Sequence, residues 1–291
     1  MGVIAEETIL PTPSFQAAWD TIQVEPSLKD RLVAQSLLTL NLRQNYNFEE
    51  MPIHGIILLA GQPGTGKTTL ARGLACKVAQ ALNGQKVVFI QIDAHALASS
   101  NLGKSQQEVT KLFTKTIPER AVDHTVIVLL DEVETLAADR QRMSLESNPI
   151  DVHRATDAAL AGTDLLARNT RNTLIIATTN YLEAVDRAFV SRADLVESLG
   201  VPNERARAAI IRETLILFQK KWPEVSQLAN NVNEFVDASE GLDGRALRKA
   251  LISAAGSSII TAKNPGEMTS AQILAAIKRS ANTLSLIEGQ K

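Results

Sequence analysis

The sequence predicts an α/β fold, with a five-stranded parallel sheet flanked by helices and a small helical lid domain at the C-terminal end. Two observations predict it. Apolar runs that can form buried strands alternate with helical patterns as far as residue 199, and this alternation is typical of a parallel sheet covered on both faces. From Val201 onward the spacing of apolar residues is helical, and no strong strand pattern occurs.

The chain begins with segments that precede the first predicted strand of the sheet. Residues 1–14 contain two prolines and are expected to form an extended N-terminal arm. Residues 15–43 predict helix after Pro26, because their leucines recur on one helical face. Residues 44–54 are polar and predict a loop that leads into the sheet.

Five apolar runs predict the strands, because a parallel strand is buried on both faces and lacks polar alternation. In chain order they are residues 55–60, 87–92, 126–130, 173–177 and 195–199, of which the last is the weakest. After the fifth run, Pro202 marks the expected boundary between an α/β domain of residues 15–201 and a lid domain of residues 202–291. Asn203 is the expected N-cap of the first lid helix.

A glycine-rich sequence after the first predicted strand matches the phosphate-binding motif G-x-x-x-x-G-K-[ST]. The glycines let successive backbone N–H groups point at phosphate oxygens, and the N-terminus of the next helix adds partial positive charge. Lys67 is expected to reach the β- and γ-phosphates, and the Thr68 hydroxyl to bind Mg²⁺. The strand before the motif and the helix after it argue against a chance match. The expected nucleotide-binding residues are Gly61, Gln62, Pro63, Gly64, Thr65, Gly66, Lys67, Thr68 and Thr69.

Two adjacent acids close the third predicted strand. Asp131 is suited to hold Mg²⁺, usually through water, and Glu132 to polarise the water that attacks the γ-phosphate. The alternative is a pair of solvated acids at a strand end, but the apolar strand before them and the upstream phosphate loop favour the catalytic interpretation. The chain has no N-K-x-D guanine-binding sequence, which favours ATP over GTP.

The fourth predicted strand ends in two threonines and Asn180. In this fold that strand is expected between the first and third strands, where ligands bind at the carboxyl ends. Asn180 is therefore expected to position the attacking water beside Glu132. The alternative is an asparagine in an ordinary turn.

Three arginines are candidates for binding the γ-phosphate. Arg192, just before the fifth strand, is the first choice to act on the nucleotide of a neighbouring subunit, and Arg187 is the reserve. Arg245, at the start of a lid helix, is the candidate for the same subunit. Ordinary surface salt bridges or a solvated helix start remain the alternatives for these arginines.

Composition excludes several other functions. The net charge of −2 and the lack of a basic stripe argue against a dedicated nucleic-acid surface. A single cysteine, Cys76, excludes an internal disulfide and favours the cytoplasm. No apolar run approaches the ~18 residues of a membrane span. The four histidines are scattered without metal-ligand spacing.

Together these features resemble an AAA+ ATPase, with Walker A and Walker B motifs, an asparagine sensor, an inter-subunit arginine and a lid arginine. Several stretches are similar more specifically to the pachytene-checkpoint (thyroid-receptor-interactor) family, from about Trp19 to Ala250. These stretches are residues 93–97, 109–113, 131–136, 188–194 and 244–249. The Arg-Ala-Asp and Gly-Arg-x-Leu-Arg-Lys sequences are the more specific ones.

The resemblance implies a homohexamer that uses ATP and Mg²⁺ to remodel a HORMA-domain protein, by engaging a peptide segment in its central pore. Bacterial relatives belong to CBASS anti-phage systems, in which they disassemble complexes of a HORMA protein with a nucleotidyltransferase (CD-NTase). The chain begins almost at the ATPase core, which favours the bacterial type.

The chain departs from the family at two places. Gln62 replaces a proline of the phosphate loop, with little expected effect. Asn101 takes the place of the aromatic residue of the first pore loop, which leaves Leu102 as the sizeable apolar contact and argues against strong processive threading. The alternatives are an unfoldase for another protein and a nucleic-acid ATPase such as a clamp loader or helicase loader.

Overall fold

The computed structural model describes residues 3–94, 104–138 and 149–288. The chain forms two compact units. The first consists of Met1–Gly61 and Lys67–Leu199, and the second of Gln62–Gly66 and Gly200–Lys291. The domain bounds expected from the sequence, at 15–201 and 202–291, stay a prediction.

The first unit is built on a six-stranded sheet with the order β1-β3-β4-β5-β2-β6. The strands are β1 (Ile4–Leu10), β2 (Ile56–Ala60), β3 (Val87–Ile92), β4 (Thr125–Leu130), β5 (Thr173–Thr179) and β6 (Leu195–Ser198). Strands β2 to β6 are parallel, and β1 pairs with β3 in antiparallel orientation. The predicted α/β fold is thereby confirmed.

The prediction of five strands was wrong, because residues 4–10, within the expected N-terminal arm, form a sixth strand, β1, at the edge of the sheet. Thr8 lies opposite Phe89 and Leu10 opposite Val87 in the β1–β3 pair. Only Leu10 of this strand is fully buried, so its sequence lacks the apolar run of an inner strand. The two prolines follow the strand, and Pro13 begins the next helix.

The helices of the first unit cover both faces of the sheet. They are α1 (Pro13–Thr21), α2 (Pro26–Asn45), α3 (Lys67–Ala81), α4 (Lys104–Lys111), α5 (Ile117–Arg120), α6 (Pro149–Asn169) and α7 (Arg187–Val190). Alternate residues of each inner strand enter opposite cores: Ile56 and Leu58 pack with α4 and α6, whereas Ile57 and Leu59 pack with α1, α2 and α3. This two-sided burial explains why the strands are continuous apolar runs.

The entry into β2 is fixed by a buried arginine. Arg43 is 4% exposed, and its Nη1 donates to the carbonyls of His54 at 2.8 Å and Thr173 at 2.7 Å. Its Nη2 donates to the Thr170 carbonyl at 2.7 Å. Burial lowers the pKa of Arg43 to about 10. Gly55 is required beside it, because its φ is +78° and an added Cβ would lie 1.8 Å from Arg43 Nη1.

The second unit contains helices and turns, and residues 200–288 form no strand. Its helices are α8 (Glu204–Gln219), α9 (Val232–Ala238), α10 (Gly244–Ala255), α11 (Ile259–Lys263) and α12 (Ser270–Glu288). Asn203 caps α8 as predicted, since its side chain accepts from Ala206 N at 2.9 Å. Asp243 caps α10 in the same way. A separate apolar core that includes Phe235 and Leu247 holds this unit together.

Two features noted in the sequence can be compared with the structure. The single cysteine, Cys76, is buried in α3, and burial raises its pKa. Among residues 3–94, 104–138 and 149–288, no helix is both long enough and apolar enough to cross a membrane.

Candidate nucleotide-binding and catalytic site

Lys67, Asp131, Glu132 and Asn180, four of the predicted site residues, meet where three parallel strands end. Strand β5 pairs with β2 on one side and with β4 on the other, which places the fourth predicted strand between the first and third as expected. The phosphate loop follows β2, Asp131 and Glu132 follow β4, and Asn180 follows β5. The hydrogen bonds that join Lys67, Asp131, Glu132 and Asn180 all lie within the first unit.

The phosphate loop has the backbone that its glycines predict. Gly61, Gly64 and Gly66 have φ values of 152°, 88° and 93°. Helix α3 begins at Lys67, whose side chain is 6% exposed. Its Nζ donates to the Gly61 carbonyl at 2.7 Å and to Asn180 Oδ1 at 2.9 Å. The lysine charge is therefore held at the start of α3, where a phosphate group would also meet the helix N-terminus.

Oxygen atoms suited to Mg²⁺ lie together between α3 and β4. Thr68 Oγ1 donates to Asp131 Oδ1 at 2.9 Å and Oδ2 at 3.1 Å, and the Thr178 hydroxyl also donates to Asp131. A hydroxyl and a carboxylate are the hard oxygen ligands that Mg²⁺ prefers, with water and phosphate oxygens completing the shell. No group of three or more His, Cys, Asp or Glu residues with metal-site geometry occurs in the described part of the chain. The donor set thus fits Mg²⁺ bound jointly with a nucleotide.

Glu132 has an unusual backbone conformation. With φ 55° and ψ 54°, it is the one non-glycine residue with positive φ in the described ranges. This left-handed conformation costs about 1–2 kcal/mol. Glu132 N donates to Thr178 Oγ1 at 3.1 Å, which helps to hold it. Such backbone strain concentrates at functional sites. Its occurrence at Glu132 therefore supports the catalytic role predicted for this carboxylate.

Asn180 forms hydrogen bonds with both Lys67 of the phosphate loop and Glu132. Its Oδ1 accepts from Lys67 Nζ at 2.9 Å, and its Nδ2 donates to Glu132 Oε1 at 3.3 Å. The structure therefore brings together Lys67, Glu132 and Asn180, as the sequence predicted for a single site. This arrangement can orient a water between a general base and a phosphate group.

Sequence reasoning missed two residues that hold this site. Thr178 on β5 contacts both acids after β4, as described above. Glu134 Oε1 accepts from Asn180 N at 3.0 Å, which fixes the backbone of the bridging asparagine. Thr178 lies near the end of β5, and Glu134 lies in the short turn Val133–Thr135 that follows β4. A polar residue at such a position is a usable signal, but the sequence does not show which polar residue bonds to which.

We expect Glu134→Ala to lower the ATPase turnover number on the order of 10-fold to 100-fold, because a displaced Asn180 would misplace the attacking water. Glu134→Gln keeps an oxygen acceptor for Asn180 N and should remain closer to the parental rate. Steady-state turnover and KM, with nucleotide affinity and melting temperature as controls, measure the effect. A Glu134→Ala variant with parental turnover would exclude a positioning role.

Arg192 forms an ion pair within its own chain. Its Nε and Nη2 donate to the two carboxylate oxygens of Asp164 at 2.7 and 2.8 Å, and its Nη1 donates to the Ala188 carbonyl at 2.7 Å. Arg187 lies exposed at the start of α7. The salt bridge weighed as an alternative for Arg192 is thus present, and it leaves the inter-subunit role as a proposal.

The remaining predicted residues lie elsewhere. Arg245 is exposed in the first turn of α10, in the second unit. Asn101 and Leu102, predicted at the pore, fall outside the described residues, as does the segment 139–148 after the Walker B turn.

Comparison with known proteins identifies the family. The family model "ATPase family associated with various cellular activities (AAA)" matches residues 57–201. CD-NTase-associated protein 6 of Pseudomonas aeruginosa is 41% identical over 273 residues, which cover 93% of this chain and 90% of that protein. The chain belongs to the AAA ATPase family.

Within the AAA ATPases, the predicted resemblance to pachytene checkpoint proteins is confirmed. The human pachytene checkpoint protein 2 homolog is 32% identical over 274 residues, or 85% of this chain. The chain spans 63% of the length of that relative. Membership of this family of ATPases implies that the phosphate loop binds a nucleotide.

Solved structures of AAA ATPases share the fold. Caenorhabditis elegans PCH-2 matches with a TM-score of 0.76 and 25% identity, over 97% of this chain and 76% of that one. The structure described as the E. coli MS115-1 HORMA:CdnC:Trip13 complex contains a chain with a TM-score of 0.77 and 20% identity, with 95% of each chain covered. At that identity, the second likeness shows the fold alone.

Proposed function

We propose that this AAA ATPase hydrolyses ATP to disassemble or unfold a HORMA-domain protein, and thereby regulates the nucleotidyltransferase of a CBASS anti-phage system. The observation that carries the ATPase part is the array in which Asn180 links Lys67 to Glu132. The relative named CD-NTase-associated protein 6, which covers nearly the whole chain, supports the biological part.

The residues of the site have separate roles in the proposed reaction. The loop of residues 61–66 binds the phosphates through its backbone N–H groups, and Lys67 neutralises charge on the β- and γ-phosphates. Thr68 and Asp131 would hold Mg²⁺, which supplies charge neutralisation at the phosphate oxygens when bound. Glu132 accepts a proton from the attacking water.

Two further parts of the proposal concern assembly. In a homohexamer, Arg192 stabilises the charge that develops on the γ-phosphate of a neighbouring subunit. Arg245 contributes from the lid of the same subunit. Arg192 remains preferred to Arg187 because Asp164 fixes its guanidinium, whereas Arg187 lies exposed.

The partner is proposed from the relatives and from the sequence. A HORMA protein and CdnC accompany Trip13 in the E. coli complex that shares this fold. We propose that a peptide of the partner is gripped near Asn101 and Leu102, and that the protein acts in the cytoplasm, consistent with its single cysteine. Nucleic acid is not the proposed substrate, because the net charge is −2.

We expect Leu102→Ala to abolish remodelling while the basal ATPase rate stays close to parental, because leucine is the sizeable apolar contact of the predicted pore loop. Asn101→Ala is the matched control and should have a milder effect, since water can replace its hydrogen bonds. The measurement is ATP-dependent separation of a preformed HORMA–nucleotidyltransferase complex by size-exclusion chromatography, alongside phosphate release.

Three outcomes would each contradict part of this proposal. Full separation by Leu102→Ala would show that another segment grips the substrate, with residues 140–148 the next candidate. Failure of the parental protein to separate the complex, despite active hydrolysis, would indicate a different protein substrate. DNA binding with steep salt dependence would instead favour a nucleic-acid ATPase.

A further inference from the structure

The side chain of Arg192 is held by a carboxylate on another helix. Asp164 lies on α6, and its two carboxylate oxygens accept hydrogen bonds from Nε and Nη2 of the Arg192 guanidinium. The Arg192 side chain is 21% exposed and the Asp164 side chain 36%. The hydrogen bond and charge of Arg192 hold the pKa of Asp164 below its usual range. Asp164 is therefore an ionised partner at neutral pH.

A second residue holds the carboxylate in turn. His54 Nε2 lies 3.1 Å from Asp164 Oδ1, and the His54 and Phe48 rings pack edge to face with 5.0 Å between their centroids. Three side chains, from the loop before β2, from α6 and from the turn after α7, thus form one hydrogen-bonded row: His54, Asp164 and Arg192.

The backbone on each side of this row is also fixed. Asp194, two residues after Arg192, accepts from the backbone N–H groups of His54, Gly55 and Ile56 at 3.1, 2.6 and 2.9 Å. The segment that carries Arg192 is therefore fastened to the start of β2, the strand that leads to the phosphate loop. A side chain on so restrained a segment loses little further entropy when it binds a ligand.

The pairing does not exhaust the donors of the guanidinium. An arginine has five N–H donors, and the bonds to Asp164 and Ala188 use three of them. Within the described part of the chain, two N–H groups of Arg192 are left for another acceptor, and the orientation of the guanidinium is already fixed. A guanidinium whose orientation is already fixed is better suited to bind a phosphate group than a mobile guanidinium is.

We propose that Asp164 is a positioning residue for hydrolysis: its carboxylate, supported by His54, orients Arg192 so that the remaining N–H groups act on the nucleotide of a neighbouring subunit. This inference rests on the proposed inter-subunit role of Arg192. It predicts that a defect at Asp164 impairs the neighbour's site and leaves the site of its own subunit intact.

A purely structural role of Asp164 would give a different result from a positioning role. A partly exposed ion pair of this kind contributes little to the free energy of unfolding. Asp164→Ala should therefore lower the melting temperature little, while turnover falls on the order of 10-fold through loss of orientation. Glu7→Ala is the matched control, because Glu7 forms a bidentate pair with Arg120 at the far edge of the sheet.

The test is a mixing experiment with ATPase turnover as the readout. Asp164→Ala subunits retain Glu132, and Glu132→Gln subunits retain Asp164 and Arg192. In mixed hexamers some interfaces combine an oriented Arg192 with an intact Glu132, so the mixture should be more active than either variant alone. Lys67→Ala mixed with Glu132→Gln should show no gain, because no subunit then contains a complete site.

Two comparisons separate the possible failures. Arg192→Ala mixed with Glu132→Gln should also regain activity, and if it does not, the proposed role of Arg192 is wrong. If it does but the Asp164→Ala mixture does not, the inference about Asp164 is overturned.

In the Arg192→Ala background, Asp164→Ala should cause no further loss of turnover, and an additive loss would indicate that Asp164 acts independently. His54→Ala should show a smaller loss of the same kind.

Discussion

Replacing Glu132 by glutamine is expected to leave ATP binding intact and to lower turnover on the order of 10²- to 10⁴-fold, the usual contribution of a general base. Glutamine has nearly the same shape, and its side-chain oxygen can still accept from Asn180 Nδ2, which now lies 3.3 Å from Glu132 Oε1. It cannot accept a proton from the attacking water. The variant should therefore accumulate as an ATP-bound closed hexamer.

Phosphate release and binding of a fluorescent ATP analogue measure the two parts of this expectation, with assembly followed by size-exclusion chromatography. Glu183→Gln is a matched control, because it changes an exposed carboxylate in the short turn Leu182–Ala184. Parental turnover in Glu132→Gln would show that this acid is not the general base. Loss of ATP binding would mean that the strained backbone at Glu132, with φ 55°, cannot tolerate the change.

Lys67→Ala is expected to weaken ATP binding on the order of 10²-fold, because a charge-assisted hydrogen bond contributes about 1.5–3 kcal/mol. The loss should reach both binding and turnover, since Lys67 also holds the amide of Asn180 through the 2.9 Å bond to its Oδ1. Nothing else among the described residues donates to that oxygen. Asn180 would then be fixed only from the side of Glu132 and Glu134.

Isothermal titration with ATP measures this effect, and the melting temperature shows whether the variant is folded. Lys77→Ala is the matched control on the same helix, because Lys77 donates to the side chains of Gln16 and Gln80 and not to the phosphate loop. Near-parental ATP affinity in Lys67→Ala would show that the loop backbone alone binds the phosphates. Loss of affinity in Lys77→Ala would point to a general effect on α3.

The sequence determined the parts of the protein that depend on neighbours along the chain. The strand before the phosphate loop, the glycines within it and the helix after it lie next to one another in sequence, so their spacing predicts their structure. Asp131, Glu132 and Asn180 were predictable for a related reason. Each follows an apolar strand, and the carboxyl ends of adjacent parallel strands meet at one edge.

The edge strand was not predictable in this way. Residues 4–10 bury only one face against the sheet, and their pairing with β3 joins residues about 80 positions apart in the chain. Residues 4–10 lack the continuous apolar run from which the inner strands were predicted. Their neighbours in sequence also do not indicate that they pair with β3.

Only the tertiary structure decided which polar residues hold the predicted ones. Asp164 and Arg192 are 28 residues apart, and Glu134 and Asn180 are 46 apart. The spacing of residues along the chain does not indicate that Asp164, on a helix, pairs with Arg192. It also does not indicate that Glu134, in a short turn, bonds to Asn180. These pairs form because helix packing and sheet order bring distant segments within hydrogen-bond distance, and that distance is set by the folded core rather than by any single stretch of sequence.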